Sequence, residues 1–100
     1  MNLISAKEFK NLLKDESKKI DVIDVRTTEE WDSGHIKDPR VRNIEINKLL
    51  SNTDLINKNI NTYLICESGG RSSYGQLILK TKGISVIEVG GGMSEYRKLK

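Results

Sequence analysis

The sequence predicts an α/β fold, a largely parallel central sheet of about five strands with helices on both faces. Three observations predict it. Apolar runs rich in β-branched residues, Ile20 to Arg26, Thr62 to Ile65 and Ile84 to Val89, have the length of buried strands. Segments with helical spacing of apolar residues separate them. Capping residues and glycines mark the junctions, so strand and helix alternate in the order that right-handed crossovers demand.

Leu3-Ile4 is one brief strand. Ser5-Ala6-Lys7-Glu8 reads as a capping box, and Phe9, Leu12 and Leu13 continue an amphipathic helix over about residues 6 to 14. Ile20 to Arg26 is the first strong strand; Asp24 and Arg26, two apart, point to one face near its C-terminal end. Such a pair is an ion pair holding the next loop, or a support for a ligand site at that end of the sheet. Thr27 and Glu30 form a second capping box for a short helix through Trp31, an expected core anchor, that stops at Gly34. His35 is read as bracing its loop, since no nucleophile or second acid stands near it in sequence. Lys37 to Arg42 reads as a basic surface loop, by its Asp38-Pro39 step and charge, or as a partner-contact loop. Asn43 to Ile46 alternates as a short strand near an edge, and helical turns are expected at Lys48 to Leu50 and Asp54 to Ile56. After Thr62 to Ile65, the second strong strand, Tyr74, Leu77 and Ile78 predict the apolar stripe of a helix ended by Gly83. Ile84 to Val89 is the last strand, and a helix from Met93 to about Leu99 closes the chain.

Composition excludes several functions. The 100 residues, 36% hydrophobic and 31% charged, suffice for one core and contain no linker or repeat. The net charge of +3 is dispersed, without the dense basic face that nucleic acid requires. One cysteine and one histidine offer neither a disulfide nor a metal-ligand set, and no cofactor is implied. Met1 to Ser5 lacks the pattern of a secretory leader, and no apolar run is long enough for a membrane span. A free thiol suits a reducing cytoplasm, the expected location.

The chemistry points to Cys66-Glu67-Ser68-Gly69-Gly70-Arg71-Ser72, a loop between strand and helix. Glycines 69 and 70 permit φ > 0 and close backbone approach, so that successive N–H groups form an anion nest facing a helix N-terminus. Arg71 adds a fixed positive charge, and the Ser68 and Ser72 hydroxyls can bond the anion or cap the helix. These surroundings favour a thiolate on Cys66. The anion beside it is either an oxyanion or the terminal sulfur of a cysteine persulfide. A buried, inert cysteine is the plain alternative, against which the Ser-Gly-Gly-Arg segment speaks.

At this point the chain resembles the rhodanese-like family. Asp24-Val25-Arg26 with Glu29-Glu30-Trp31 and Gly34-His35-Ile36 is similar to that family's first signature, and Asn43-Ile44 to its next strand. Cys66 to Ser72 is similar to its active-site loop. Gly91-Gly92-Met93 with Tyr96 resembles its closing signature, where tryptophan is more usual. The resemblance implies a single rhodanese-like domain over residues 1–100 acting as a ping-pong sulfurtransferase. Cys66 would be the nucleophile and persulfide carrier, with Arg71 as its catalytic companion. Glu67, Ser68, Gly69, Gly70 and Ser72 would bind the sulfur, residues 67 to 71 forming the cradle and Ser72 starting the helix. Asp24 and Arg26 would support them. The partners implied are a small sulfane-sulfur donor or a protein persulfide and a thiol or cyanide acceptor, with neither nucleic acid nor membrane. A non-catalytic interaction or regulatory module is the alternative, although such modules often lack the cysteine. A cysteine phosphatase or arsenate reductase is disfavoured, because four residues separate Cys66 from Arg71 and those enzymes use a longer loop. Two features depart from the family pattern. The segment after Gly34-His35-Ile36 is longer and more basic, and Glu67 sets a carboxylate beside the nucleophile. That carboxylate is expected to oppose a dianionic donor such as thiosulfate and to favour a persulfide donor.

Overall fold

A computed structural model describes residues 2–100. Five strands form one parallel sheet: β1 (Leu3–Ile4), β2 (Ile20–Asp24), β3 (Val41–Asn43), β4 (Asn61–Ile65) and β5 (Ile87–Val89), in the order β1-β5-β4-β2-β3. Every pairing is parallel, so all C-terminal ends lie along one edge, and the register sets Asp24 of β2 opposite Ile65 of β4. The central strands β2 and β4 are buried on both faces, as their apolar runs require.

Helices cover both faces. Helix α1 (Ala6–Lys14) and α5 (Gly92–Arg97) bury Phe9, Leu13 and Met93 with Tyr63, Ile65 and Val89. Helices α3 (Ile46–Ser51) and α4 (Gly70–Thr81) bury Leu49 and Leu79 with Ile23, Leu64 and Val86 on the other. A short helix α2 (Thr28–Ser33) follows β2, and a 3₁₀ turn spans Thr53–Leu55. Ser5 caps α1 through the Glu8 N–H, but the Glu8 carboxylate accepts from the Ser5 hydroxyl instead of reaching its backbone. Thr27 and Glu30 make the complete reciprocal box. Trp31 is half-buried against the core instead of sealed within it.

Three expectations shift. Strand β3 occupies Val41–Asn43, not 43 to 46, although the chain stays bonded beside β2 through the Ile44 and Ile46 N–H groups. The last strand is confined to Ile87–Val89. Helix α4 is turned relative to the expected stripe: Tyr74 and Leu77 are exposed, and Ser72, Gly75, Gln76 and Leu79 face the sheet. The physical reason is close packing. A Cβ on Gly75 would come within 2.6 Å of the Ile46 side chain, and Gln76 donates to the Val86 and Asn2 carbonyls. The basic segment from Lys37 to Arg42 is knitted into the fold. Arg40 pairs with Asp38 and donates to the Leu13, Asp15 and Lys18 carbonyls, while Arg42 pairs with Asp21.

Candidate active site

The residue that leaves β4 is Cys66, the single cysteine, at the strand ends where open parallel sheets bind ligands. Gly69 follows in the left-handed region at φ +103°, a conformation other residues adopt only under strain. This turn aims the Gly69 N–H at the Cys66 sulfur, 3.0 Å away. The Ser72 N–H lies 3.4 Å from the same atom, and the Ser72 hydroxyl also lies 3.4 Å from it. Helix α4 starts at Gly70 with Gly69 as its N-cap, and no side chain caps it. The cysteine sulfur takes that place, accepting from two of the four N–H groups that a helix cannot satisfy internally. Those of Gly70 and Arg71 are the other two members of the set. A negative charge on sulfur is therefore stabilised by backbone donors and by the dipole of a three-turn helix.

The carbonyls of this loop turn the other way. Those of Cys66 and Glu67 accept from the Met93 and Ser94 N–H groups, each at 2.8 Å, at the start of α5. Gly92, at φ +59°, makes that approach possible, since a Cβ there would collide with the Cys66 carbonyl oxygen. The closing Gly91-Gly92-Met93 segment is thus the buttress that turns the loop's donors toward the sulfur.

Charged residues brace the rim. Arg26 and Asp24, each 1% exposed, pair in bidentate fashion at 2.9 to 3.1 Å. Arg26 also donates to the Gly34 carbonyl and reaches Glu67 at 3.3 Å, so this pair is both a structural ion pair and a contact to the cysteine loop. Asn43 donates to the Asp24 and Arg26 carbonyls from the side. His35 keeps its bracing role: its ring stacks on Trp31, and Nδ1 lies 2.8 Å from the Trp31 carbonyl oxygen.

Arg71 departs from expectation. Its guanidinium makes a bidentate pair with Glu30 on α2, at 2.6 and 2.9 Å, instead of closing over the loop. The Arg71 hydrogen bonds hold the Glu30 carboxyl down from its ordinary 4.5 to about 2. Because its folded value is depressed, the pair contributes stability fully present above about pH 4.5 and lost as the pH falls toward about 2. Glu30→Gln is expected to lower the neutral plateau of the melting-temperature profile by a few degrees, converge with the wild type in acid, and so flatten the acid limb. An acid limb as steep as the wild type's would contradict the assignment.

Glu67 is also corrected. Arg97 of α5 bonds both its oxygens and Arg26 bonds one of them, so its carboxyl is held below the usual range, mainly by Arg97. The carboxylate at the mouth is offset by two guanidinium groups, and its opposition to a dianion is correspondingly weakened. Ser72 sits in the first turn of α4 rather than starting it, and Ser68 is exposed at the loop tip. The loop thus brings together Cys66, Gly69, Gly70 and Ser72, with Asp24, Arg26 and Glu67 behind its rim. Sequence reasoning missed Arg97, the pairing role of Glu30, and Glu88. The Glu88 carboxyl is buried, with Oε2 3.3 Å from the Ser72 hydroxyl. A charged residue inside an apolar strand was the available signal for it.

Comparison with known proteins places the chain in context. A model of the rhodanese-like domain family matches residues 5–99. "Putative sulfur carrier protein YrkF" of Bacillus subtilis (strain 168) is 33% identical over 94 residues, 93% of this chain and 49% of that protein. The chain therefore spans about half the length of this curated relative. Two crystal structures superpose with a TM-score of 0.85. One is a rhodanese-like domain protein from Staphylococcus aureus, 35% identical over 96% of this chain and 91% of its own. The other is a protein from Staphylococcus saprophyticus, 33% identical over 96% of this chain and 93% of its own.

Proposed function

Because the chain belongs to the rhodanese-like domain family, we propose that it is a sulfurtransferase that carries sulfane sulfur as a persulfide on Cys66. The observation that carries this reading is the sulfur's place as the cap of α4, with the Gly69 and Ser72 N–H groups directed at it. The Cys66 thiolate attacks the outer sulfur of a donor. A new S–S bond forms, the donor's S–S bond breaks, and its electron pair leaves on the rest of the donor, a thiolate from a persulfide or sulfite from thiosulfate. The loop N–H groups then stabilise the charge that the persulfide carries. An acceptor nucleophile, cyanide or a thiol, takes the outer sulfur and returns Cys66 as thiolate. These 100 residues hold no second cysteine to resolve the persulfide, so the acceptor comes from outside them.

Cys66 is 1% exposed. Such burial favours a slender sulfur-bearing end, whether it comes from a small thiol persulfide or from a protein. A sulfur-carrier role in the curated Bacillus relative is consistent with this reading. We further propose that residues 1–100 work as one rhodanese-like unit in a reducing, cytoplasmic setting, where a lone thiol persists. Among the described residues, no helix is long and apolar enough to cross a membrane.

A binding module without catalysis would need only a cap for α4, which a serine hydroxyl supplies as well as a thiol. A phosphatase would need an arginine on the oxyanion, and Arg71 is engaged by Glu30. The reading is tested by thiocyanate formation from cyanide with thiosulfate or a glutathione persulfide as donor. Ping-pong kinetics are expected, giving parallel double-reciprocal lines. Intersecting lines, or Cys66-dependent hydrolysis of an aryl phosphate in place of sulfur transfer, would overturn it.

A further inference from the structure

Three carboxylates and three guanidinium groups stand around the cysteine loop, and each carboxylate has a guanidinium of its own. Asp24 has Arg26, Glu30 has Arg71 and Glu67 has Arg97. The third pair sits on the residue next to the nucleophile. Arg97 donates to both Glu67 oxygens, at 2.5 and 3.1 Å. Arg26 reaches one of them at 3.3 Å, but its charge is already balanced by Asp24, to which it donates at 2.9 to 3.1 Å. Without Arg97 the rim would carry one unpaired negative charge beside Cys66. We propose that Arg97 is a specificity-determining residue, which sets how much negative charge the site tolerates on a sulfur donor by neutralising Glu67. The inference rests on the sulfur-transfer reading and adds to it the residue that governs donor choice.

The fold builds the position of Arg97. Helix α5 starts on the loop, where the Met93 and Ser94 N–H groups donate to the Cys66 and Glu67 carbonyls. Arg97 ends the same helix, three positions after Ser94 and on the same face. One helix therefore holds Glu67 by its backbone and by its carboxylate. Neighbouring cations are committed elsewhere: Lys98 is on Glu95, and Arg71 is on Glu30. Arg97 and Glu67 are 49% and 36% exposed, so their charge reaches an arriving donor through water and is screened by salt.

The loading step shows why that charge matters. With thiosulfate, a dianion, the Cys66 thiolate takes the outer sulfur and sulfite leaves with the electron pair of the broken S–S bond. Methanethiosulfonate has a methyl group in place of one oxygen, carries a single negative charge and releases methanesulfinate. The two donors are close in size and lose the same bond, but differ by one charge. An unpaired carboxylate at the rim therefore hinders thiosulfate more. A merely structural loss would slow both alike.

The test is the ratio of kcat/KM for thiosulfate to kcat/KM for methanethiosulfonate, read by thiocyanate formation. In a ping-pong reaction each kcat/KM reports loading of Cys66 alone, and inactive protein cancels in the ratio. Arg97→Gln is expected to lower the ratio about threefold at low ionic strength, with the difference shrinking in high salt. Arg97→Lys should keep the ratio near that of the wild type. The double variant Glu67→Gln with Arg97→Gln, which removes both charges, should restore it. An unchanged ratio in Arg97→Gln, a lysine variant that falls as far as the glutamine one, or a double variant that stays low would overturn the proposal. A wild type that uses glutathione persulfide but neither of these donors also overturns it and leaves the sulfurtransferase reading standing. A wild type inert toward all three overturns both.

Discussion

Cys66→Ser is expected to lose thiocyanate formation by at least about 10³-fold and to remain folded. Serine keeps an acceptor beneath the Gly69 and Ser72 N–H groups, so α4 retains a cap and the loop retains its shape. The replacement changes one atom in a buried position, and its stability should stay within about 2 kcal/mol of the wild type. What it removes is the sulfur that attacks and leaves. Hydroxyl oxygen at this site has neither the nucleophilicity toward sulfane sulfur nor the means to hold it. Rate and thermal melting, measured on the same preparation, separate the two contributions. A variant that retains turnover within tenfold of the wild type would place the nucleophile elsewhere.

Arg26→Met is expected to be the most destabilising single change at the site. Arg26 and Asp24 are both 1% exposed, and the guanidinium also bonds the Gly34 carbonyl and Glu67. Removing it leaves the Asp24 carboxylate buried without its counter-ion, and breaking such a pair costs about 3–5 kcal/mol. That is a large share of the total stability of a domain this size, about 5–15 kcal/mol. Urea unfolding checks the magnitude, and a loss below about 1 kcal/mol would contradict the account. Asp24→Asn should cost less, because it keeps hydrogen-bonding capacity and leaves behind a cation that still has Glu67 beside it. Both variants should also slow sulfur loading, since Arg26 bridges β2 to the loop through Glu67.

Much of this architecture is legible in the chain. The buried strands β2 and β4 follow from continuous β-branched runs, and α1 and α2 from cap residues within three positions of one another. The core of the site is legible because Cys66, Gly69 and Ser72 are close in sequence, and loop chemistry depends on such local spacing. What is misread depends on distant contacts. Tyr74, Leu77 and Ile78 have helical spacing, yet α4 turns Tyr74 and Leu77 outward, because Gly75 admits Ile46, Ser72 has partners in Gly69 and Glu88, and Gln76 donates to the Val86 and Asn2 carbonyls. Arg71 reads as an anion ligand until α2 brings Glu30 to it, across 41 positions of sequence. Glu67 likewise reads as a bare charge until α5 supplies Arg97, 30 positions later. Charges choose partners by tertiary proximity, and spacing along the chain carries no record of that choice.

The central claim is that sulfur rides on Cys66. The intact mass of the protein after incubation with glutathione persulfide, followed by gel filtration, tests it most directly. The account predicts a gain of one sulfur atom per chain, localised to the Cys66 peptide, removed by dithiothreitol and absent from Cys66→Ser. An unchanged wild-type mass with both persulfide and thiosulfate donors, or an adduct that persists in Cys66→Ser, would contradict it.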